Sequence, residues 1–145
     1  MNKCIGQILE LFISKKDTLN RISKSIIKLD LDGVTTDKFY AKDLERSVLL
    51  TTIESYKMAE CKNIYMPYGS LGENILIDYN PYSLSVGTQI QIGEVVLEIT
   101  QNCTICNHLA LIDKSLPSLL KKDRGIFVKV IEIGSIEKGD KIYLL

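Results

Sequence analysis

Tryptophan is absent, histidine occurs once, as His108, and proline only three times in 145 residues. A single histidine excludes a His-rich metal site and any catalytic set that needs two imidazoles from one chain. Neither sign of charge is in excess, because Lys plus Arg and Asp plus Glu number 18 each. There is thus no basic surplus to track a nucleic-acid backbone and no acidic surplus to mimic one, and no nucleic-acid partner is expected. Long apolar runs are also missing. Stretches such as Val95-Val96-Leu97 fall far short of the roughly 20 residues that a membrane-spanning helix requires, so no membrane partner is expected either. The first residues meet Gly6 and Glu10 before any apolar stretch of signal-peptide length, which makes the cytoplasm the expected compartment. Thiols are kept reduced there. Cys4, Cys61, Cys103 and Cys106 therefore read as buried thiols, metal ligands or reactive thiolates before any disulfide.

What is present suits one globular unit over residues 1–145, with 46% hydrophobic and 25% charged residues and no repeat or linker-like stretch. Residues 7–13 are apolar and β-prone. Ile27, Leu29 and Leu31 alternate with Lys28, Asp30 and Asp32 in the period of a half-buried strand over 26–32. Thr51 with Glu54 reads as a capping box, and Ile53, Tyr56 and Ala59 recur at helical spacing, which predicts a helix from Thr51 to Cys61. Gly69, Gly72, Gly87 and Gly93 then punctuate short segments. Residues 89–92 and 95–100 form a predicted hairpin turning at Gly93-Glu94. A short helix from Ser115 to Lys122, with Pro117 in its first turn, precedes predicted strands at 126–133 and 141–145. Six such strands with too few helical crossovers for a parallel sheet predict a mainly β, β-rich α+β fold. The strands close one barrel, with one or two peripheral helices and the helix after Thr51 outside.

Cys103-Thr104-Ile105-Cys106 is a CxxC motif following a predicted strand. A tetrahedral zinc site would need two further ligands, and His108, Cys4 and Cys61 form no second pair at metal-ligand spacing. Thioredoxin-type chemistry needs a βαβ setting that is not found around it. Inert buried thiols remain one reading. An active thiol at Cys106 is the other, because Asn107 and His108 give it polar, potentially cationic neighbours that lower a thiol's pKa. His108 itself either bonds a backbone carbonyl or serves the chemistry. The Gly69-to-Ile75 segment has neither the Lys-Ser/Thr ending of a phosphate-binding P-loop nor a dinucleotide GxGxxG. Asp37, Lys38 and Arg46 form a polar patch after a strand. The Lys121-Lys122-Asp123-Arg124 run reads as cations at a helix C-terminus.

In order along the chain these segments resemble the MOSC domain, named for the C-terminal domain of molybdenum cofactor sulfurases, and in particular its small stand-alone bacterial members. The resemblance is carried by Gly6-Gln7-Ile8, Asp32-Gly33-Val34 with Asp37, Arg46-Ser47-Val48-Leu49-Leu50, Gly72-Glu73-Asn74-Ile75, Leu84-Ser85-Val86-Gly87 and Ile92-Gly93-Glu94. It continues through Glu98-Ile99-Thr100-Gln101, Cys106 with His108, and Gly125 to Val130. It implies a MOSC-type β-barrel associated with the molybdenum cofactor (molybdopterin), with the signature cysteine at Cys106. That cysteine carries sulfur as a persulfide or, in members that reduce N-hydroxylated compounds, ligates molybdenum. Two positions depart from the family pattern. The usual Gly-Asp-x-His is here Thr36-Asp37-Lys38-Phe39, and a second cysteine found in many relatives is here Ala110.

The resulting expectation places Cys106 and His108 in a catalytic role, with Cys106 also the metal ligand. Asp37, Lys38, Arg46, Glu73, Asn74 and Asn107 are the cofactor-binding candidates. They are expected to converge in one pocket, with Asn74 and Arg46 as donors to an anion. Glu73 is expected to hold loop backbone or Arg46, with its proton retained if burial raises its pKa. No pyridoxal phosphate domain is present, so turnover would need molybdenum-cofactor biosynthesis or sulfur-donor proteins, or a redox partner. Enzymatic sulfur transfer or molybdenum-dependent oxidoreduction are both compatible with this sequence, as is a catalytic molybdenum subunit of a reductase. A non-catalytic interaction module with structural cysteines is the alternative from a different class.

Overall fold

The computed structural model of the chain describes residues 3–15, 21–103 and 109–145. Eleven strands are found among them: β1 Lys3–Ser14, β2 Arg21–Lys24, β3 Ile26–Asp30, β4 Gly33–Val34, β5 Val48–Thr52, β6 Ile75–Ile77, β7 Gln89–Ile92, β8 Val95–Asn102, β9 Ile126–Glu132, β10 Gly134–Glu137 and β11 Lys141–Leu144. The helices are short: α1 Ile53–Glu60, α2 Leu109–Ile112 and α3 Leu116–Leu119, with a 3-10 turn at Leu44–Arg46. Seven strands form a closed ring in the order β11-β7-β8-β9-β5-β6-β1, which returns to β11. Among the described residues, the β5–β6 pairing alone is parallel. β2 extends the sheet from β1, and β10, β3 and β4 form a separate three-stranded sheet.

The expected barrel is present, and its membership differs from the expectation in three places. The alternating segment 26–32 is a strand only as far as Asp30, and it pairs with β10 and β4 in place of entering the ring. The Asp30 carboxylate accepts the backbone N–H of Asp32 at 2.8 Å, a local turn that ends the strand and leaves Leu31 exposed. The expected strand 126–133 enters the ring as β9, Ile126–Glu132, and the chain then pairs as β10 against β3 outside it. In exchange the ring recruits β5 and β6. Every residue of β5 is buried, with Val48 and Leu50 in the barrel core, one of two apolar clusters in the fold.

Those two cores explain why the ring needs helices on one side. Ile75 and Ile77 of β6 point into the barrel with Val48, Leu50, Leu97, Val128 and Ile142. Leu76, between them, points outward to a second cluster with Tyr56, Ala59, Leu71, Leu109, Leu116 and Leu120. Alternation along a strand thus sends successive side chains into separate apolar volumes. The α1 helix begins one residue later than the capping box suggested. Thr52 is its N-cap, accepting the N–H of Glu54, while the Thr51 hydroxyl is engaged across the sheet with the carbonyl of Arg124 at 2.9 Å. The helix expected from Ser115 to Lys122 is shorter, Leu116–Leu119, with Pro117 near its start as anticipated. The hairpin at Gly93-Glu94 forms with Ile92 opposite Val95. Gly93 takes φ +59°, the left-handed backbone the turn requires.

Candidate functional site

Where β1 ends, β6 begins and the Gly33-to-Arg46 segment passes over the barrel, polar side chains are buried together. Asp37 is 5% exposed. Its Oδ1 accepts the backbone N–H of Ser14 at 2.6 Å and the Asn74 side-chain amide at 3.3 Å, and its Oδ2 accepts the N–H of Phe39 at 3.0 Å. Asn74 spans two strands: its amide also donates to the carbonyl of Phe12, and its Oδ1 accepts the N–H of Leu49 at 3.0 Å. A side chain satisfied on both its donor and acceptor ends fixes β1 against β5 where no backbone ladder joins them.

Glu73 is fully buried. Its Oε2 accepts the Tyr56 hydroxyl at 2.6 Å and the N–H of Gly69 at 3.2 Å. The Tyr56 oxygen in turn accepts the N–H groups of Gly69 and Leu71. The 69–73 loop is therefore wrapped around one phenol and one carboxyl, which satisfies backbone donors that the turn cannot pair itself. Burial raises the pKa of the Glu73 carboxyl, only partly opposed by its hydrogen bonds to Tyr56 and Gly69, and burial also raises that of the Tyr56 phenol. Glu73 Oε1 is buried with no hydrogen-bond partner.

Two arginines complete the cluster. The Arg21 Nη1 lies 3.7 Å from Asp37 Oδ1, too long for a hydrogen bond, and that buried nitrogen has no hydrogen-bond partner. Burial lowers the Arg21 pKa against the opposing pull of Asp37 and Glu73. Arg124 is 5% exposed and donates its Nε to the carbonyl of Leu71 at 3.1 Å. A Cβ placed on Gly72 would lie 3.3 Å from Arg124 Nη2 and 3.6 Å from Arg21 Nη2, so both guanidinium groups reach the same point of the loop.

Of the residues singled out from sequence, the structure brings Asp37, Glu73 and Asn74 together. Glu73 supports loop backbone, and Arg21, not Arg46, is the guanidinium at Asp37. Arg46 closes the 3-10 turn with its guanidinium 5.4 Å over the Phe127 ring. The Lys38 ammonium sits 5.2 Å over the ring of Phe39. With Lys15, Asp37 and Lys42 it lines a surface concavity of about 670 Å³, which gives the Asp37 side of the cluster a basic mouth. Cys106, Asn107 and His108 lie outside the described residues. The described residues that flank them are anchored beside the cluster: the N–H of Cys103 donates to Gly125 O at 3.0 Å, next to Arg124, and Leu109 packs with Tyr56 and Leu71. Cys103 is itself buried, while Cys4 and Cys61 are exposed. Sequence reading missed Arg21, which lies in no motif. It also took Tyr56 for an apolar helix position and Arg124 for a helix-end cation.

Comparison with known proteins decides the family. The model of the MOSC domain matches residues 37–143. The chain belongs to the MOSC domain family. Among solved structures, this MOSC chain resembles the YuaD protein from Bacillus subtilis with a TM-score of 0.81 at 17% identity, covering 99% of this chain and 98% of that one. YiiM from Geobacillus stearothermophilus matches with a TM-score of 0.78 at 17% identity over 97% of this chain and 75% of that chain. YiiM from Escherichia coli gives 0.71 at 15% identity, with 96% and 69% covered. At these identities the likeness concerns the fold. No curated protein sequence matches the chain. The MOSC family is associated with the molybdenum cofactor, and among the described residues no helix is long and apolar enough to cross a membrane.

Proposed function

We propose that this MOSC protein handles the molybdenum cofactor through Cys106, as a sulfur carrier in its persulfide form or as a protein ligand to molybdenum. The observation that carries the reading is the joint burial of Asp37, Glu73 and Asn74, positions from two family motifs, beside the residues that flank the Cys106 segment. The residues present fit an anionic cofactor. Arg21 Nη1 is buried without a hydrogen-bond partner, Gly72 lets its loop pack closely against the Arg21 and Arg124 guanidinium groups, and Lys15, Lys38 and Lys42 line the adjoining mouth. Among the described residues no group of three His, Cys, Asp or Glu could hold a metal ion. Cys106 would offer a molybdenum cofactor one protein thiolate, a soft donor suited to the metal.

When bound, the cofactor would supply a metal centre able to exchange sulfur or electrons with a partner. The chain's own contribution is to present a nucleophilic thiolate, with His108 two residues away as its proton acceptor and Asn107 as a donor beside it. Asp37 and Asn74 hold the surrounding backbone, and Arg46 and Lys38 offer further cations. A sulfur-donor protein, a cofactor-biosynthesis protein or a redox partner would complete turnover.

The test combines metal analysis and pterin fluorescence of freshly purified protein with thiol mapping in a variant lacking the exposed Cys4 and Cys61. One thiol is expected to alkylate or persulfidate at pH 7, and Cys106→Ser is expected to abolish the signal while Cys103→Ser preserves it. Retained molybdenum without persulfide would favour the ligand role, that of a reductase subunit. A Cys106 inert to alkylation, with neither metal nor pterin present, would overturn the reading in favour of an interaction module.

A further inference from the structure

A second concavity adjoins the one beside Asp37. It has a volume of about 360 Å³ and is lined by Lys24, by Ile26 and Lys28 of β3 and by Ser135 of β10. It shares Thr35 and Thr36 with the larger concavity, whose walls carry Lys15, Lys38 and Lys42. The two therefore form one open furrow, which leads from the exposed face of β3 past Thr36 to the Asp37 side of the cluster. Charge along it is one-sided. Lys24, Lys28 and Lys42 are exposed and form no ion pair among the described residues. The one carboxylate that lines the furrow, Asp37, is buried and turned to three N–H groups and to Arg21. Asp30 meets the wall through Tyr40, whose hydroxyl it accepts, and also accepts the N–H of Asp32. Since the whole chain carries no net charge, the lysines are a local concentration on this face.

We propose that this furrow is a docking surface for an extended, acidic segment of a partner protein. Its walls offer what such a segment uses. Thr35, Thr36 and Ser135 supply hydroxyls that can bond to a peptide backbone, and Ile26, 53% exposed, supplies an apolar contact. The lysines face the carboxylates. Side chains two residues apart on an extended chain project to the same side, so acidic residues at alternate positions would all meet the lysine-bearing wall. Charge complementarity of this kind sets the choice of partner and the rate of encounter more than raw affinity. Other anionic partners suit the furrow less well. A single nucleic-acid strand gains affinity by stacking successive bases on aromatic rings, and Tyr40 is the one aromatic residue that lines the furrow. A lipid surface is broad and would not follow a concave path. The inference rests on shape and charge and does not depend on the role given to Cys106. A partner seated there would reach the Asp37 side of the cluster.

The experiment titrates the full chain at low ionic strength into a fluorescein-labelled octapeptide of alternating glutamate and serine, read by fluorescence anisotropy. The same titration is run with a glutamine–serine octapeptide, with a single-stranded oligonucleotide of equal charge and with phosphatidylserine vesicles. Saturable binding of the glutamate peptide is expected, weakening as salt is added, together with shifts of the Thr35, Thr36 and Ser135 backbone amide resonances. Lys24→Glu combined with Lys28→Glu is expected to weaken binding by about tenfold or more, because carboxylates then face carboxylates. Reversal of the exposed Lys121 and Lys122, outside the furrow, is expected to leave it unchanged. Absence of saturable binding by the wild-type chain overturns the proposal without need of any variant. Equal binding of the glutamine peptide overturns it, as does equal weakening by the Lys121 and Lys122 reversal. Tighter binding of the oligonucleotide or the vesicles than of the glutamate peptide also overturns it, and assigns the surface to that partner instead.

Discussion

Glu73 has no exposed surface, and its carboxyl holds a proton more tightly than in the unfolded chain because burial penalises the charge. A carboxyl whose pKa rises on folding favours the folded state fully below its ordinary value. That contribution disappears as pH rises through the folded pKa, where the native state must either release the proton in a dry site or unfold. Glu73→Gln keeps an acceptor for the Tyr56 hydroxyl and removes the ionisation. The melting temperature of Glu73→Gln minus that of the wild type is therefore expected to increase from about pH 5 to about pH 8. A difference that stays constant over that interval would show that Glu73 is ionised in the fold. Glu73, Asn74 and Asp37 were legible in the sequence as motif residues. Arg21 was not, because what makes it notable is a carboxylate across the β1–β2 sheet and a guanidinium from the far end of the chain.

At the scale of elements, β5 shows how a local signal can be correct in kind and displaced in place. Thr51 and Glu54 have capping-box spacing, but Thr51 lies inside a strand whose neighbour β9 begins one residue after Gly125. The Thr51 hydroxyl goes to Arg124 O, and the cap passes to Thr52. The two segments approach closely only because residue 125 lacks a side chain: a Cβ there would come within 2.8 Å of Leu49 Cδ1 and 3.0 Å of Thr51 Oγ1. Gly125→Ala is expected to destabilise the protein by roughly 1–3 kcal/mol through overpacking, read as a lower urea midpoint with an unchanged slope. An alanine variant as stable as the wild type would mean that β5 and β9 separate at little cost. The same contact holds Arg124 and the N–H partner of Cys103 in position, so the variant also reports on how firmly the site's edge is fixed.

For the whole molecule, β11 is the closing strand. It pairs with β1 on one side and β7 on the other, and Ile142 on it is fully buried in the barrel core. A chain ended after Asp140 would expose two unpaired edges and open the core at once. It is expected to lose its cooperative thermal transition, as followed by circular dichroism. A sharp melt near the wild-type temperature would show that the ring is not the cooperative unit.

The sequence by itself determined that this is a mainly β protein with a tight hairpin at Gly93-Glu94, without the charge excess of a nucleic-acid binder, and with the ordered motifs of the MOSC family. Those properties are written in neighbouring residues: alternation, turn glycines, composition and motif order. Only the tertiary structure decided that β3 leaves the ring for a sheet of its own, that β5 and β6 enter it, and that Arg21 and Arg124 meet at Gly72. Alternation reports that one face of a strand is buried but not which strand lies beside it. In the same way, a charged residue's place in the chain carries no record of the distant charge it will face once β1, β2 and the loop before β9 have packed together.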